Sequence, residues 1–330
     1  MEKYTQAGFS RPPIKDAHSI LSADKANHSR LRRILSPALS KKSIKGYDDT
    51  ILKYVDLLVK ELGSRCDPVD LNKYFEWTTM DLITDLICGH PQGALDQKNG
   101  GKWLEILTQA NNLVRWEEYL IPKARLTAAY EKSKIIAAKI EKQLSIKTSN
   151  PDAYKRLAAE IRESFPSDKD ITSESITALP YLSAVMQESL RIHSPSPSPT
   201  GRFVSVGGET IDGEFVPEGT TVGVHQHSAY HAVWNFHRPG DFCPERWLPE
   251  SRGSSSPFSG DNLGVLDSFS YGPRTCLGVK LTTAETRLIL AKVLWHFDVE
   301  LMLESQDWQD SQKATVSWHR TPLMCRIKRR

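Results

Sequence analysis

The chain has 330 residues, 39% of them hydrophobic and 25% charged, which is the make-up of an ordinary globular protein with a sizeable core. A formal net charge of +3 is too mild to mark a nucleic-acid binder, although it leaves room for a basic patch facing an acidic partner. No apolar run reaches membrane-span length, MEKYTQAGFSRPP carries neither a signal-peptide core nor an anchor, and five irregularly spaced cysteines fit a reducing compartment.

Residues 1–23 read as an irregular leader, with Pro12-Pro13 stopping any helix. From Asp24 the stretch DKANHSRLRRILSPALS is helical, and Leu31, Ile34, Leu35 and Leu39 are spaced for one buried face. His28 and Arg32 lie one turn apart on another face, which on charge alone is a solvated one. Residues 47–62 and 77–88 are amphipathic helices, the second ended by Gly89-His90-Pro91. Residues 103–115 and 126–144 also read as helices. Asn150-Pro151 starts another, with Asn as cap, Pro in the first turn, and Tyr154, Leu157, Ala158 and Ile161 as its buried stripe.

The next helix, 180–192, holds Glu188 and Arg191 at i and i+3, a pair that by itself is usually a solvated one. Residues 195–224 are punctuated by Pro and Gly with alternating Val and Thr, the pattern of short strands, and include Arg202 in TGRFV. His225, His227 and His231 invite a zinc reading, against which stands the lack of a nearby Asp, Glu or Cys ligand. PERW places Arg246 ahead of a Ser/Gly-rich, mobile loop at 250–262. The string FSYGPRTCLG then precedes a long helix, 281–297, and the remainder reads as strands with a basic end.

Cys276, at the centre of that string, sits at the end of a loop just before a helix N-terminus, where unpaired amides and the helix dipole favour a thiolate. Gly272 permits a turn that a side chain hinders, and Gly278 lets the backbone approach something flat. Phe269 offers an aromatic face to the sulfur, and Arg274 a fixed cation for a carboxylate on the same ligand.

Phe-x-x-Gly-x-Arg-x-Cys-x-Gly resembles the haem-binding loop of the cytochrome P-450 family, and the chain as a whole is similar to its fungal secondary-metabolite type. The resemblance implies a mainly α fold with a small β region in a single domain over 1–330, with N-terminal helices at 24–148 and a haem-binding half at 149–330. It implies haem b with Cys276 as thiolate ligand, and His28, Arg32, Arg202 and Arg274 as partners of the haem propionates. Glu188, Arg191 and Arg246 match a buried ion triad that is structural, since losing one member strands the others. The implied activity is monooxygenation of an apolar small molecule, with electrons from an NADPH-dependent flavoprotein reductase docking near Arg30 and Arg33. A cytoplasmic location, or a peripheral one at the endoplasmic reticulum, goes with it.

The chain departs from the family in two places. The amino-terminal anchor, leading helix and sheet have no counterpart, and neither does the distal helix with its Ala/Gly-Gly-x-Asp/Glu-Thr segment, because 126–144 runs almost directly into Asn150. Gly207-Gly208-Glu209-Thr210 has similar letters in the wrong place. No catalytic acid–alcohol pair is therefore identified. Two alternatives remain: a haem-binding pseudoenzyme, and a peroxide-dependent or non-oxidative haem enzyme.

Overall fold

The helix Val279–His296 is buried on nearly every side, through Leu281, Leu288, Ile289, Leu290, Ala291, Val293 and Leu294, as befits an interior helix that is apolar most of the way round. A computed structural model describes this chain at residues 5–6, 20, 23–98, 150–197, 201–308, 310–314, 318–319 and 321–330. The helices expected at 103–115 and 126–144 lie outside the described residues.

Two amphipathic helices flank the central one. Asp48–Gly63 turns Ile51, Tyr54, Val55, Leu58 and Leu62 inward, and Pro151–Ser164 turns in Tyr154, Leu157, Ala158 and Ile161. The expected cap on the latter is absent: Pro151 occupies the first turn, but the Asn150 side chain makes no capping bond. Leu71–Cys88 begins six residues earlier than the sequence pattern placed it, because Asp70 accepts from the Asn72 amide at 3.1 Å; Gly89, at φ +71°, ends it. The helix Pro180–Ile192 has no cap of its own. Glu160, from the Pro151–Ser164 helix, accepts from the Tyr181 and Leu182 amides at 2.7 and 2.8 Å and does that work across the interface.

The sheets are small. Met324–Arg329 pairs antiparallel with Phe297–Leu301, Ile327 opposite Val299, and at its other edge with Val69–Asp70. Thr5–Gln6, inside the leader read as irregular, forms a strand beside Arg202–Phe203, which pairs in turn with Thr221–Val222. Glu209–Ile211 and Glu214–Val216 form a hairpin whose two turn residues, Asp212 and Gly213, both have positive φ, the conformation a tight hairpin demands.

Lys25–Leu35 overturns an expectation. Ile34 and Leu35 are 62% and 41% exposed, whereas His28 is buried. The helix docks by its polar face: Arg32 donates to the Thr275 carbonyl at 2.7 Å, so bonds to the cysteine loop rather than apolar burial set its roll.

At the far end of the central helix, Lys292 is buried and donates to Asp56 (2.6 Å) and Asp168 (2.9 Å), and Asp168 also meets His296 Nε2 at 2.8 Å. Burial alone would raise the Asp168 pKa, but the bonds from Lys292 and His296 and their charges outweigh it and hold the carboxyl below its ordinary 3.8. Its contribution to stability is thus present above about pH 4 and fades as pH falls through and below that range. Asp168→Asn is expected to lower the urea midpoint at pH 7, with wild type and variant converging as the titration is taken into acid.

Candidate functional site: a cysteine loop ringed by cations

The loop that carries Cys276 is closed on itself. The Cys276 amide donates to the Phe269 carbonyl at 2.7 Å, and the Thr275 amide and hydroxyl both donate to Gly272 O. Gly272 lies at φ +72°, so its lack of a side chain is needed there. Ser270 also lies in the left-handed region, at φ +64°, a conformation that a non-glycine residue keeps only when its surroundings enforce it. Gly278, at φ −86°, opens the Val279–His296 helix with ordinary backbone geometry. The Cys276 side chain is exposed at the N-terminal end of that helix.

Three guanidiniums and one imidazole, from three segments, converge on this loop. Arg32 holds the Thr275 carbonyl; Arg274 donates to Ala23 O at 2.8 Å; Arg202 donates to the Ser270 hydroxyl at 3.2 Å. His28 is buried among them. Burial first, then the charges of Arg274 and Arg32, hold its imidazole below the ordinary 6.5. Burial likewise lowers Arg202 and Arg274, and Arg274 also feels the charge of Arg202. None of the three guanidiniums has a carboxylate at ion-pair distance among the described residues. The nearest acids act from further off: Asp24 on Arg274, and Asp267, pushed up by its own burial, on Arg202. A surplus of positive charge beside an exposed thiol at a helix N-terminus suits a ligand that carries carboxylates and a metal with affinity for sulfur.

Behind the loop lies a second charged group with the opposite character. Glu188 and Arg191 are fully buried and joined by two bonds, at 2.8 and 2.9 Å, and Arg246 reaches Glu188 at 3.2 Å. The family resemblance nominated these three together. It missed Asp261, which pairs with Arg246 on the other side, and Trp247, whose indole N–H donates to Glu188 at 2.8 Å. The loop at 250–262, read as mobile, is thereby pinned at its end. Asp261 also accepts from the His237 amide at 2.6 Å, and Asn262 donates to Asn235 O. A buried Arg246 with only a shared carboxylate would leave net charge in the core, and Asp261 balances it.

The histidines do not gather as a zinc site. His225 caps the short helix Gln226–Tyr230 through Nδ1, and His231 Nδ1 lies 2.8 Å from the His227 carbonyl. Among the described residues no group of three His, Cys, Asp or Glu is placed to hold a metal ion in that way.

Comparison with known proteins gives a consistent result. The model of the cytochrome P-450 family matches residues 140–326. The chain is 30% identical to cytochrome P-450 monooxygenase atr2 of Stereocaulon alpinum, over 97% of this chain and 76% of that protein. It is also 30% identical to averantin hydroxylase of Dothistroma septosporum, over 96% of this chain and 72% of that one. These alignments span 391 and 385 positions against 330 residues here, so both relatives carry internal segments with no counterpart in this chain. Among solved structures, a mutant cytochrome P-450DA heme domain superposes with a TM-score of 0.77 at 16% identity, covering 100% of this chain and 84% of that one, a likeness of fold. Among the described residues no helix is long and apolar enough to cross a membrane.

The charge arrangement has two measurable outcomes. Glu188→Ala leaves the buried Arg191 without a carboxylate and Arg246 with Asp261 alone, and is expected to cost about 3–5 kcal/mol in urea unfolding. Because the folded-state pKa of His28 is depressed, its contribution to stability is complete above about pH 6.5 and is lost as pH falls below it. In the ligand-free protein, His28→Phe is expected to flatten the fall in thermal midpoint between pH 6.5 and 5.

Proposed function

The chain belongs to the cytochrome P-450 family, an oxidoreductase family whose cofactor is haem held by a cysteine thiolate, and on that premise we propose that it is a monooxygenase of fungal secondary metabolism that oxidises an apolar small molecule. The observation that carries this reading is the exposed Cys276 at a helix N-terminus beside three guanidiniums that lack ion-pair partners among the described residues. When bound, haem supplies a redox-active iron whose oxygen chemistry is promoted by electron density from the thiolate.

The protein's own residues then divide the work. Cys276 ligates the metal, with the closed loop and the Gly272 turn holding its backbone. Arg32, Arg202 and Arg274 take the two carboxylates of the macrocycle, and the neutral imidazole of His28 adds a hydrogen bond among them. On this reading Phe269 offers its ring to the sulfur and Gly278 leaves room for the flat macrocycle. Glu188, Arg191, Arg246 and Asp261 form the rigid backing. Electrons come from a flavoprotein reductase that draws on NADPH, because the chain carries no flavin or nicotinamide fingerprint. Arg30 and Arg33, exposed on the helix that carries His28, offer a docking surface for an acidic partner. A setting in the cytoplasm or at the endoplasmic reticulum accords with such a partner.

A second reading is favoured by one specific observation, the internal segments of the relatives that this chain lacks. The sequence holds no acid–alcohol pair to deliver protons on the side of the ring away from Cys276. A haem-binding protein without turnover, or an enzyme that uses peroxide or carries out a non-oxidative rearrangement, needs no such pair.

The test is the absorption spectrum of the haem-reconstituted protein, reduced and exposed to carbon monoxide. A strongly red-shifted Soret band is expected in wild type and its loss in Cys276→Ser; a folded protein that takes up no haem overturns the assignment. Reductase-driven, substrate-dependent consumption of NADPH then supports the monooxygenase. Product formed with peroxide alone, or no turnover, supports the second reading.

A further inference from the structure

The ion cluster and the cysteine loop come from different segments, and the five-residue helix Gln226–Tyr230 touches both. Tyr230 is 1% exposed. Its carbonyl accepts from Arg191 Nη1 at 2.8 Å, which ties it to the buried charges. Its phenol oxygen accepts from the Asp267 amide at 2.8 Å, two residues ahead of Phe269. Gln226, one helical turn away, reaches the same residue's backbone from the other side. Its Nε2 donates to Asp267 O at 3.0 Å, while its Oε1 accepts from the Ser194 hydroxyl at 2.8 Å.

The Asp267 backbone steers the chain into the cysteine loop. Its carbonyl also accepts from the Ser270 amide at 3.0 Å, closing the turn in which Ser270 is forced to φ +64°. Immediately before Ser270, the Phe269 carbonyl receives the Cys276 amide. A left-handed serine is strained and persists only if its flanks are fixed. Asp267 is the flank on the N-terminal side, and both its amide and its carbonyl are held by one short helix.

We propose that Tyr230, with Gln226, is a positioning residue that clamps the Asp267 backbone and so keeps Cys276 in the geometry of a metal-binding thiolate, coupling the loop to the ion cluster. The role in ligation rests on the assignment of Cys276 as the haem ligand; the clamp itself does not. Tyr230→Phe removes one oxygen while leaving the ring in the core and the carbonyl on Arg191. Gln226→Met removes both amide contacts at similar length.

Two measurements on the full chain test this. In haem-free protein, hydrogen exchange at the Asp267 amide is expected to speed up roughly five-fold in Tyr230→Phe, with amides of the Val279–His296 helix unchanged. In haem-loaded protein, the reduced carbon monoxide spectrum of either variant is expected to show a larger share of the unshifted Soret band of a protonated thiol, growing faster with time than in wild type. Unchanged exchange at Asp267 overturns the clamp. Faster exchange with spectra identical to wild type in both variants overturns its role in holding the thiolate. If Tyr230→Phe does not fold, Gln226→Met carries the spectral test. A wild-type spectrum without the red shift sinks the ligand assignment instead, and is seen before any variant is made.

Discussion

Much of the C-terminal half depends on how one buried carboxylate is satisfied. Glu188 accepts five hydrogen bonds, two from Arg191 and one each from Arg246, the Trp247 indole and the Cys243 amide. These donors come from one helix and one turn far apart in sequence; Arg191 gives its remaining N–H groups to backbone carbonyls, and Arg246 divides its own between Asp261 and the backbone. Arg191 holds Tyr230, Pro239 and Asp241; Arg246 holds His237. Stretches with almost no regular structure are thereby fixed as firmly as a sheet would fix them. The buried Phe236 ring lies within reach of both guanidiniums, 5.1 and 5.6 Å from them, at cation–π distance.

The contrast with the cluster at the cysteine loop is informative. Both assemblies gather arginines in partly or fully buried places, yet one has carboxylates matched to its cations and the other does not. A protein bears uncompensated like charge at a cost in stability, and the cost is recovered when an anionic ligand binds. Charge balance, more than burial, separates the structural cluster from the one proposed to hold the ligand.

Legibility in the sequence followed the range of the interactions. The loop around Cys276, the helix Pro180–Ile192 and the inward stripe of Pro151–Ser164 were readable because each is set by neighbours within a turn or two. Glu188, Arg191 and Arg246 were nominated together only by the family resemblance, since an i, i+3 Glu–Arg pair by itself is usually solvated. Asp261 was not, since nothing in a Ser/Gly-rich run announces that one acid will be drawn in against a guanidinium fifteen residues earlier. The roll of Lys25–Leu35 was misread because apolar spacing predicts burial only where burial decides the docking, and here Arg32 and His28 decide it. Glu160 capping a neighbouring helix and Tyr230 bridging two clusters are long-range facts with no local trace.

One bracing contact has a mechanical meaning. Arg162 donates to the Leu294 and Phe297 carbonyls and to Asp298, all at the C-terminal end of the helix whose other end faces Cys276. Arg162 belongs to the helix that begins at Pro151, and that helix also caps Pro180–Ile192 through Glu160. Pro151–Ser164 thus acts as an abutment, anchoring the two rods that frame the loop. That abutment does not carry the cradle alone: Arg32 and the Ala23 carbonyl reach the cysteine loop from far upstream of Asn150, so the loop is tied at once to both ends of the chain.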